Sequence, residues 1–473
     1  MGNLFTALGS AGEALQAFER AIAVTQNNVT NANSPGYAEQ VPLLESLSFQ
    51  PDGLSGGVME QTQDTRNSFA ETAVQQQQAL LGQFQQLQTS LGSLQGIFDV
   101  SSSSPIPTAL SQLFQSFSQW STQPSNADYQ TAVINAAQQT AAAFQQAAVQ
   151  LDNYRTSTGG DIQTTVDQIN QDAAKIQAYN VQIEKSSTPD PGLSAQLHST
   201  LEDLSSVAGV QVLTGNNGTV TVLLGGQTPL VIGTQLNQLQ VQNDAASNVG
   251  NPGAPPNIKI VDSNGTDVTT QITSGGLSGL LSVYNNLLPS LAGGGQQVGD
   301  LNVLAKNLAD TVNNLLTQGS ITSTPPYQNG IALFSYTAGA PAGVAGSMGL
   351  NPAITPSQLA ATDPGPPPVS NGIALQLAGL DTAPGGQING LGYTAFFASL
   401  VTRVGNAASN ANTAVAAQTT LVAQAQSLRQ QLSGVSLDQE AVRLVQLQSS
   451  YQAASKVVTV IDQLTQSILS MVQ

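Results

Sequence analysis

Three groups of residues in this sequence have types that do chemistry elsewhere. Gly53-Leu54-Ser55-Gly56-Gly57 has the Gly-x-Ser-x-Gly spacing that lifts a serine hydroxyl out of a strained strand-to-helix turn in acyl-transfer enzymes. That turn needs a strand before it and a histidine to take the proton. Here Pro51-Asp52 comes first, and the sole histidine, His198, lies far along the chain between Leu197 and Leu201. By its neighbours His198 reads as a partly buried or surface side chain rather than a base. The adjacent acids Glu202-Asp203 are of the type used for glycoside hydrolysis, which takes two carboxylates about 5 to 10 Å apart across a cleft. A chain with 28 acidic residues offers such pairs by chance. Asp438 and Glu440 fall where the first turn of a helix is expected, and there carboxylates offset the positive end of the helix dipole. With no cysteine there is no thiol nucleophile, disulfide or thiolate metal site. No lysine follows a glycine, so a Walker-type phosphate loop is missing too. The expectation is a chain with no catalytic residue, no cofactor and no metal centre.

Charge narrows the partners. The 28 acids against 11 bases give a net charge of −17, which repels nucleic acid and anionic membrane alike. Only 8% of the residues are charged, so the surface is made largely of Gln, Asn, Ser and Thr, a covering compatible with subunits packed on subunits. No apolar run approaches the ~20 residues that span a bilayer. Glu13, Glu19 and Arg20 interrupt the N-terminal stretch where a secretory signal needs an unbroken apolar core. No membrane insertion and no cleaved signal are expected, and export by a route that reads an uncleaved N-terminus stays open.

The elements that organise the chain lie at its ends. Leu437, Ala441, Leu444, Leu447, Tyr451, Ala454, Val458, Ile461, Leu464, Ile468 and Met471 step by threes and fours along one helix face. Leu4, Leu8, Ala11, Leu15, Phe18, Ile22 and, after a lapse at Thr25, Val29 do the same at the start, with the spacing of a coiled-coil seam. Pairing the two seams gives a stalk of residues 1–40 and 435–473 that carries the rest as an insertion. Such a stalk buries too little apolar surface to offset the ordering of its backbone. Further neighbours are then needed, and copies of the chain or its relatives could supply them. The plainer alternative is two amphipathic helices on an ordinary core.

Between the ends, residues 38–64 read as irregular or short extended structure, with Pro42, Pro51 and a glycine cluster. Helical spacing then dominates, through Leu80 to Phe98, Leu110 to Trp120, Tyr129 to Leu151 and Ile162 to Ile183. From Val207 the period drops to two. Val210 and Val212 pair with Val220 and Val222 across Gly215-Asn216-Asn217-Gly218, and short strands follow at Leu230 to Ile232, Leu239 to Val241 and Ile258 to Val261. Helix returns at Leu277 to Leu291 and Leu301 to Leu315, and Ala395 to Leu432 forms a long helix rich in small residues. The domains expected are the stalk, a helical bundle (41–206, 277–316 and 391–434), a small β domain (207–276) and a Pro/Gly-rich outer region (317–390) of loops or irregular β structure, with strands at Ile331 to Tyr336 and Ile373 to Leu377. The fold class is mainly α with an inserted β domain: paired N- and C-terminal coiled-coil helices, a long helical bundle and a small β-rich outer domain.

The string Asn27-Asn28-Val29-Thr30-Asn31-Ala32-Asn33-Ser34-Pro35-Gly36-Tyr37 is by local chemistry a helix end followed by a tight turn. It also resembles the Asn-Asn-x-x-Asn-x-x-x-Pro-Gly-Tyr signature near the N-terminus of the bacterial flagellar axial proteins: rod, hook and hook-associated. Glu440, Ala441, Leu444, Gln448, Tyr451, Gln452, Ala453, Ser455, Lys456 and Val457 resemble the C-terminal signature of the same superfamily. Its rod and hook members pass from the N-terminal segment into β-rich domains, whereas its hook-associated branch has a long helical region first, as this chain does. Asn170 to Val212 also looks like that branch, except that Ser199-Thr200-Leu201-Glu202-Asp203 stands where an Asp-x-Arg-Asp string belongs.

What the resemblance implies is a non-enzymatic structural subunit at the junction between hook and filament. It would leave the cell unfolded through the flagellar export channel, held beforehand by a cytoplasmic export chaperone at its C-terminal helix. Outside, it would self-associate in a ring, with hook protein on one side and the second junction protein, followed by flagellin, on the other. The two seams would be its assembly interface. Two other readings stand beside this one: another axial protein, hook or distal rod, and a secreted adhesive or carbohydrate-active protein on an axial stalk.

Overall fold

The computed structural model describes residues 2–46, 58–98, 105–186, 190–215, 217–382 and 388–471. Gly53 to Gly57, with Ser55, lie outside them. In chain order the elements are α1 (Gly2–Asn31), β1 (Gln40–Ser46), β2 (Val58–Asp64), α2 (Ser68–Ile97), α3 (Pro105–Thr122), α4 (Ala127–Lys185) and α5 (Pro191–Val207). Then come β3 (Val210–Thr214), β4 (Val220–Leu224), β5 (Thr228–Ile232), β6 (Gln235–Leu236), β7 (Gln240–Asp244) and β8 (Asn257–Val261). After these follow α6 (Gly276–Ser282), α7 (Leu288–Ala292), α8 (Asp300–Gln318), β9 (Phe334–Ser335), α9 (Val344–Ser347), β10 (Gly349–Leu350), α10 (Gly372–Ala378), α11 (Tyr393–Ser433) and α12 (Leu437–Met471). The chain divides into two compact units, residues 1–81, 169–237 and 418–473 in one, 82–168 and 238–417 in the other.

In the first unit α1 packs along α12 and against the β1–β2 pair. Within residues 38–64, expected as irregular or short extended structure, the described strands β1 and β2 pair antiparallel, with Gln40 opposite Asp64 and Ser46 opposite Val58. Asp190 starts α5 by accepting from the N–H groups of Gly192 and Leu193, with Pro191 in the first turn. Strands β3 to β6 form an antiparallel meander whose first hairpin is the one expected from Val210 to Val222. Val220, Val222 and Leu224 alternate inward along β4 and are buried. Asn180 of α4 ties this sheet down, donating to the carbonyls of Val220 and Gly233 and accepting from the Val220 N–H.

The second unit has one large apolar core. Leu113, Phe117 and Trp120 of α3, Phe144 and Leu151 of α4, Leu304 and Leu308 of α8, and Phe397 and Leu400 of α11 meet in it. The turn Val283–Leu287 between α6 and α7 is π-helical, and the Asn285 side chain it presents pairs with both backbone groups of Ile258 in β8. Strands β7 and β8 form their own two-stranded sheet here, so residues 207–276, expected as one small β domain, hold two separate sheets.

Two expectations for residues 317–390 are corrected. Ile373 to Leu377 is helix α10, not a strand. Gly372, Ile373, Ala374 and Leu377 are its buried residues, a helical spacing that a short apolar run does not distinguish from a strand. Nor is the region an outer layer of loops, since Leu333, Phe334, Val344, Met348 and Leu359 all lie in the core. Turn residues dominate its composition, and they hide the single apolar side chains that anchor each loop. Of the strand expected at Ile331 to Tyr336, only Phe334 and Ser335 are paired. Among the described residues no helix is long and apolar enough to cross a membrane.

Candidate assembly site

Both end signatures lie in the first unit, and the N-terminal one is tied together by its own side chains. Asn28 is fully buried in the last turns of α1. Its Nδ2 donates to the Gln40 carbonyl at 2.8 Å, while its Oδ1 accepts from the Gln40 N–H at 3.0 Å and the Tyr37 hydroxyl at 2.9 Å. One side chain thus supplies the ladder partner that the start of β1 would otherwise lack. Asn31 donates to the backbone and side-chain oxygens of Asn27, and Ser34 donates to Asn31, which closes the end of the helix. Pro35 is exposed in the turn that follows. Gly36 has φ +71°, and a Cβ there would lie 2.3 Å from the Ala195 carbonyl oxygen of α5, so glycine is required by both conformation and space. Burial, with the charges of Asp64 and Glu440, pushes the Tyr37 phenol up to about 12.

Charged side chains lock the same region. Arg66 donates to Glu71 and to the Gly36 carbonyl, each at 2.8 Å. Arg429 of α11 donates to Glu71 and to Glu202 of α5. Burial pushes the Glu202 carboxyl up against the opposing charge of Arg429. Burial, then the charges of Arg66 and Arg429, hold the His198 imidazole down to about 3, so it is neutral and poorly suited to accept a proton. Glu202, the acid once weighed for glycoside chemistry, is committed to a guanidinium. A cavity of about 360 Å³ beside the turn is lined by Asn33, Ser34, Tyr37, Glu71 and Arg429. Its carboxylate and guanidinium are engaged with each other.

The helix seams are offset from expectation. Among the described side chains of α1 the buried ones are Ala17, Ala21, Thr25 and Asn28, about one residue round from the predicted stripe. Leu8, Ala11, Leu15, Phe18 and Ile22 are only half-buried, Val29 is exposed, and the side chain of Leu4 lies outside the described ones. Small side chains hold the covered face because both α12 and the β1–β2 pair approach it, and the large residues flank the contact. On α12, Leu447 is buried and Leu444, Tyr451, Ala454, Val458 and Ile461 are half-buried, as a seam requires. Leu437, Ala441, Leu464 and Ile468 are exposed, as are Gln448, Gln452 and Lys456. Tyr451 donates to Glu19 of α1 at 3.0 Å.

A second stripe on α12 had no place in the sequence reading. Val442 (59%), Val445 (63%), Val457 and Val460 are exposed, and they lie on the same side of α12 as Leu464 and Ile468, two residues of the predicted seam that are exposed as well. The polar contacts made by Glu39, Arg443, Glu71 and Arg429 were missed as well. The one signal for them was the i, i+3 spacing of Glu440 and Arg443, whose side chains meet at 2.7 Å.

Residues 91–334 match the sequence profile of the flagellar hook-associated protein FlgK helical domain. Residues 416–471 match that of the flagellar basal body rod FlgEFG protein C-terminal region. The chain is 25% identical to flagellar hook-associated protein 1 of Bacillus subtilis (strain 168), over 99% of each. The solved flagellar hook junction protein FlgK from Burkholderia pseudomallei shares its fold, with a TM-score of 0.64 at 18% identity, over 77% of this chain and all of that one.

Proposed function

The chain belongs to the flagellar hook-associated protein FlgK family, and from that premise we propose that it is a structural subunit forming the junction between hook and filament of the bacterial flagellum. It works by assembling, and no step of catalysis enters the account. The observation that carries this reading is α12, 35 residues long with one face on α1 and a second apolar face of Val442, Val445, Val457 and Val460 left open. An exposed stripe of that length is a surface awaiting another chain. The half-buried seam of Leu8, Leu15, Phe18, Ile22, Leu444, Val458 and Ile461 joins it in the assembly, where neighbouring copies and other axial proteins complete the cover. The terminal helices order fully only then, because in one chain their burial does not offset the entropy of fixing them. The finer partners in this proposal are hook protein on one side, the second junction protein on the other, and before export a chaperone on α12. The mature subunit is extracellular.

The test is substitution in the seam. Leu444→Asp or Ile461→Asp is expected to leave a folded chain that is exported but absent from purified flagella, with loss of motility. Normal incorporation and motility of both variants would overturn the reading.

A further inference from the structure

Glu440 stands in the first turn of α12, where Asp438 lies in the open and Glu440 is sealed at 0% exposure. Its Oε1 accepts from Arg443 Nη1 at 2.7 Å, and its Oε2 is buried with no hydrogen-bond partner. The same Arg443 nitrogen donates to Glu39 at 2.9 Å, ahead of β1. One guanidinium therefore serves two carboxylates and neutralises only one of them. A buried, uncompensated carboxylate oxygen is costly, and a proton on it removes most of that cost.

We propose that Glu440 is a proton-operated latch on the C-terminal helix: protonated, it seats the first turn of α12 on Asn28 and Glu39, and ionised, it loosens that turn. On protonation Oε2 gains its hydrogen, the charge is lost, and Arg443 is left wholly to Glu39. The groups facing the carboxyl are Arg443 from α12, Glu39 from the segment before β1, and Asn28 and Tyr37 from α1 and its turn, with Asp64 of β2 beyond Tyr37. Tyr37, pushed up to about 12, keeps its proton throughout. Burial first, then Glu39, as acceptor for the proton and as a like charge, raise the Glu440 carboxyl above the ordinary carboxylate range, and the Asn28 amide and Arg443 oppose them. The folded form thus binds this proton more tightly than the open form. The latch is closed below the ordinary glutamate range and is lost as pH rises through the raised value.

Hydrogen exchange of peptides spanning 437–447 in the full chain, corrected for intrinsic rates and followed from pH 8 down to below the ordinary glutamate range, tests this. Protection should rise on acidification, by at most about tenfold per pH unit. Glu440→Gln fixes the neutral form, so its protection should start high and lack the rise on acidification, with peptides of the second unit unchanged as a control on folding. Parallel profiles for the two proteins, or weaker protection of Glu440→Gln at every pH, would overturn the latch. Glu39→Gln releases Arg443 to Glu440 and should move the window to lower pH. A window left unmoved would overturn the shared-guanidinium geometry on which the latch rests.

Discussion

Gly36 and His198 show how single positions carry the first unit. Gly36→Ala forces a Cβ against the Ala195 carbonyl in a backbone conformation that L residues rarely adopt. The expected cost is about 2 kcal/mol or more, read as a lower urea midpoint with loss of exchange protection in α5. His198 gives a pH dependence of determined sign. Its folded-state value of about 3 lies below the ordinary 6.5, so the folded form binds fewer protons than the unfolded one between those limits. Stability is full above about 6.5 and falls on acidification, by up to about 1.4 kcal/mol per pH unit. His198→Gln should flatten urea midpoints between pH 6 and pH 4, and an unchanged slope would remove His198 as the cause. The sequence showed that Asn28, Gly36 and Tyr37 belong together, because turn chemistry is local. It did not show that Asn28 completes the start of β1 or that Arg443 reaches Glu39, contacts set by packing between segments far apart in the chain.

Among the elements, α12 is the informative one. Its inner face was half legible: Leu444, Leu447, Tyr451, Val458 and Ile461 keep the predicted spacing, while Leu437 and Leu464 are exposed, at 51% and 49%. On α1 the rule of large apolar residues selected the flanks of the contact and passed over Ala17 and Ala21, whose small side chains let a helix and a hairpin approach together. Helix α10 was read as a strand because five apolar-rich residues fit either period. The outer face of α12 yields a separate prediction. Val460→Asp alters a residue 53% exposed in the single chain, so the unfolding free energy from urea titration should change by no more than about 0.5 kcal/mol while incorporation into flagella is lost. A drop of several kcal/mol would place Val460 in the fold of the single chain. Where α2, α5 and α11 meet, Glu71→Ala leaves Arg66 and Arg429 without their shared carboxylate. This should cost about 2 to 4 kcal/mol, part of the full buried-pair penalty being screened at Arg429.

At the scale of the molecule, each unit is assembled from segments distant in sequence, the first from both ends plus residues 169–237. The meeting of the two ends was legible because both carry the same period, and the resemblance of their motifs to flagellar axial proteins pointed the same way as the family match over 91–334. The division of 207–276 between two sheets was not legible, since each strand looks alike until its partners are known. The central claim is that the terminal helices complete their cover on other molecules. Hydrogen exchange of residues 7–24 and 451–468, in the free chain and in isolated flagella, tests it most directly. The account predicts fast exchange in the free chain and strong protection in the assembled particle. Equal, strong protection of both stretches in the free chain would contradict it.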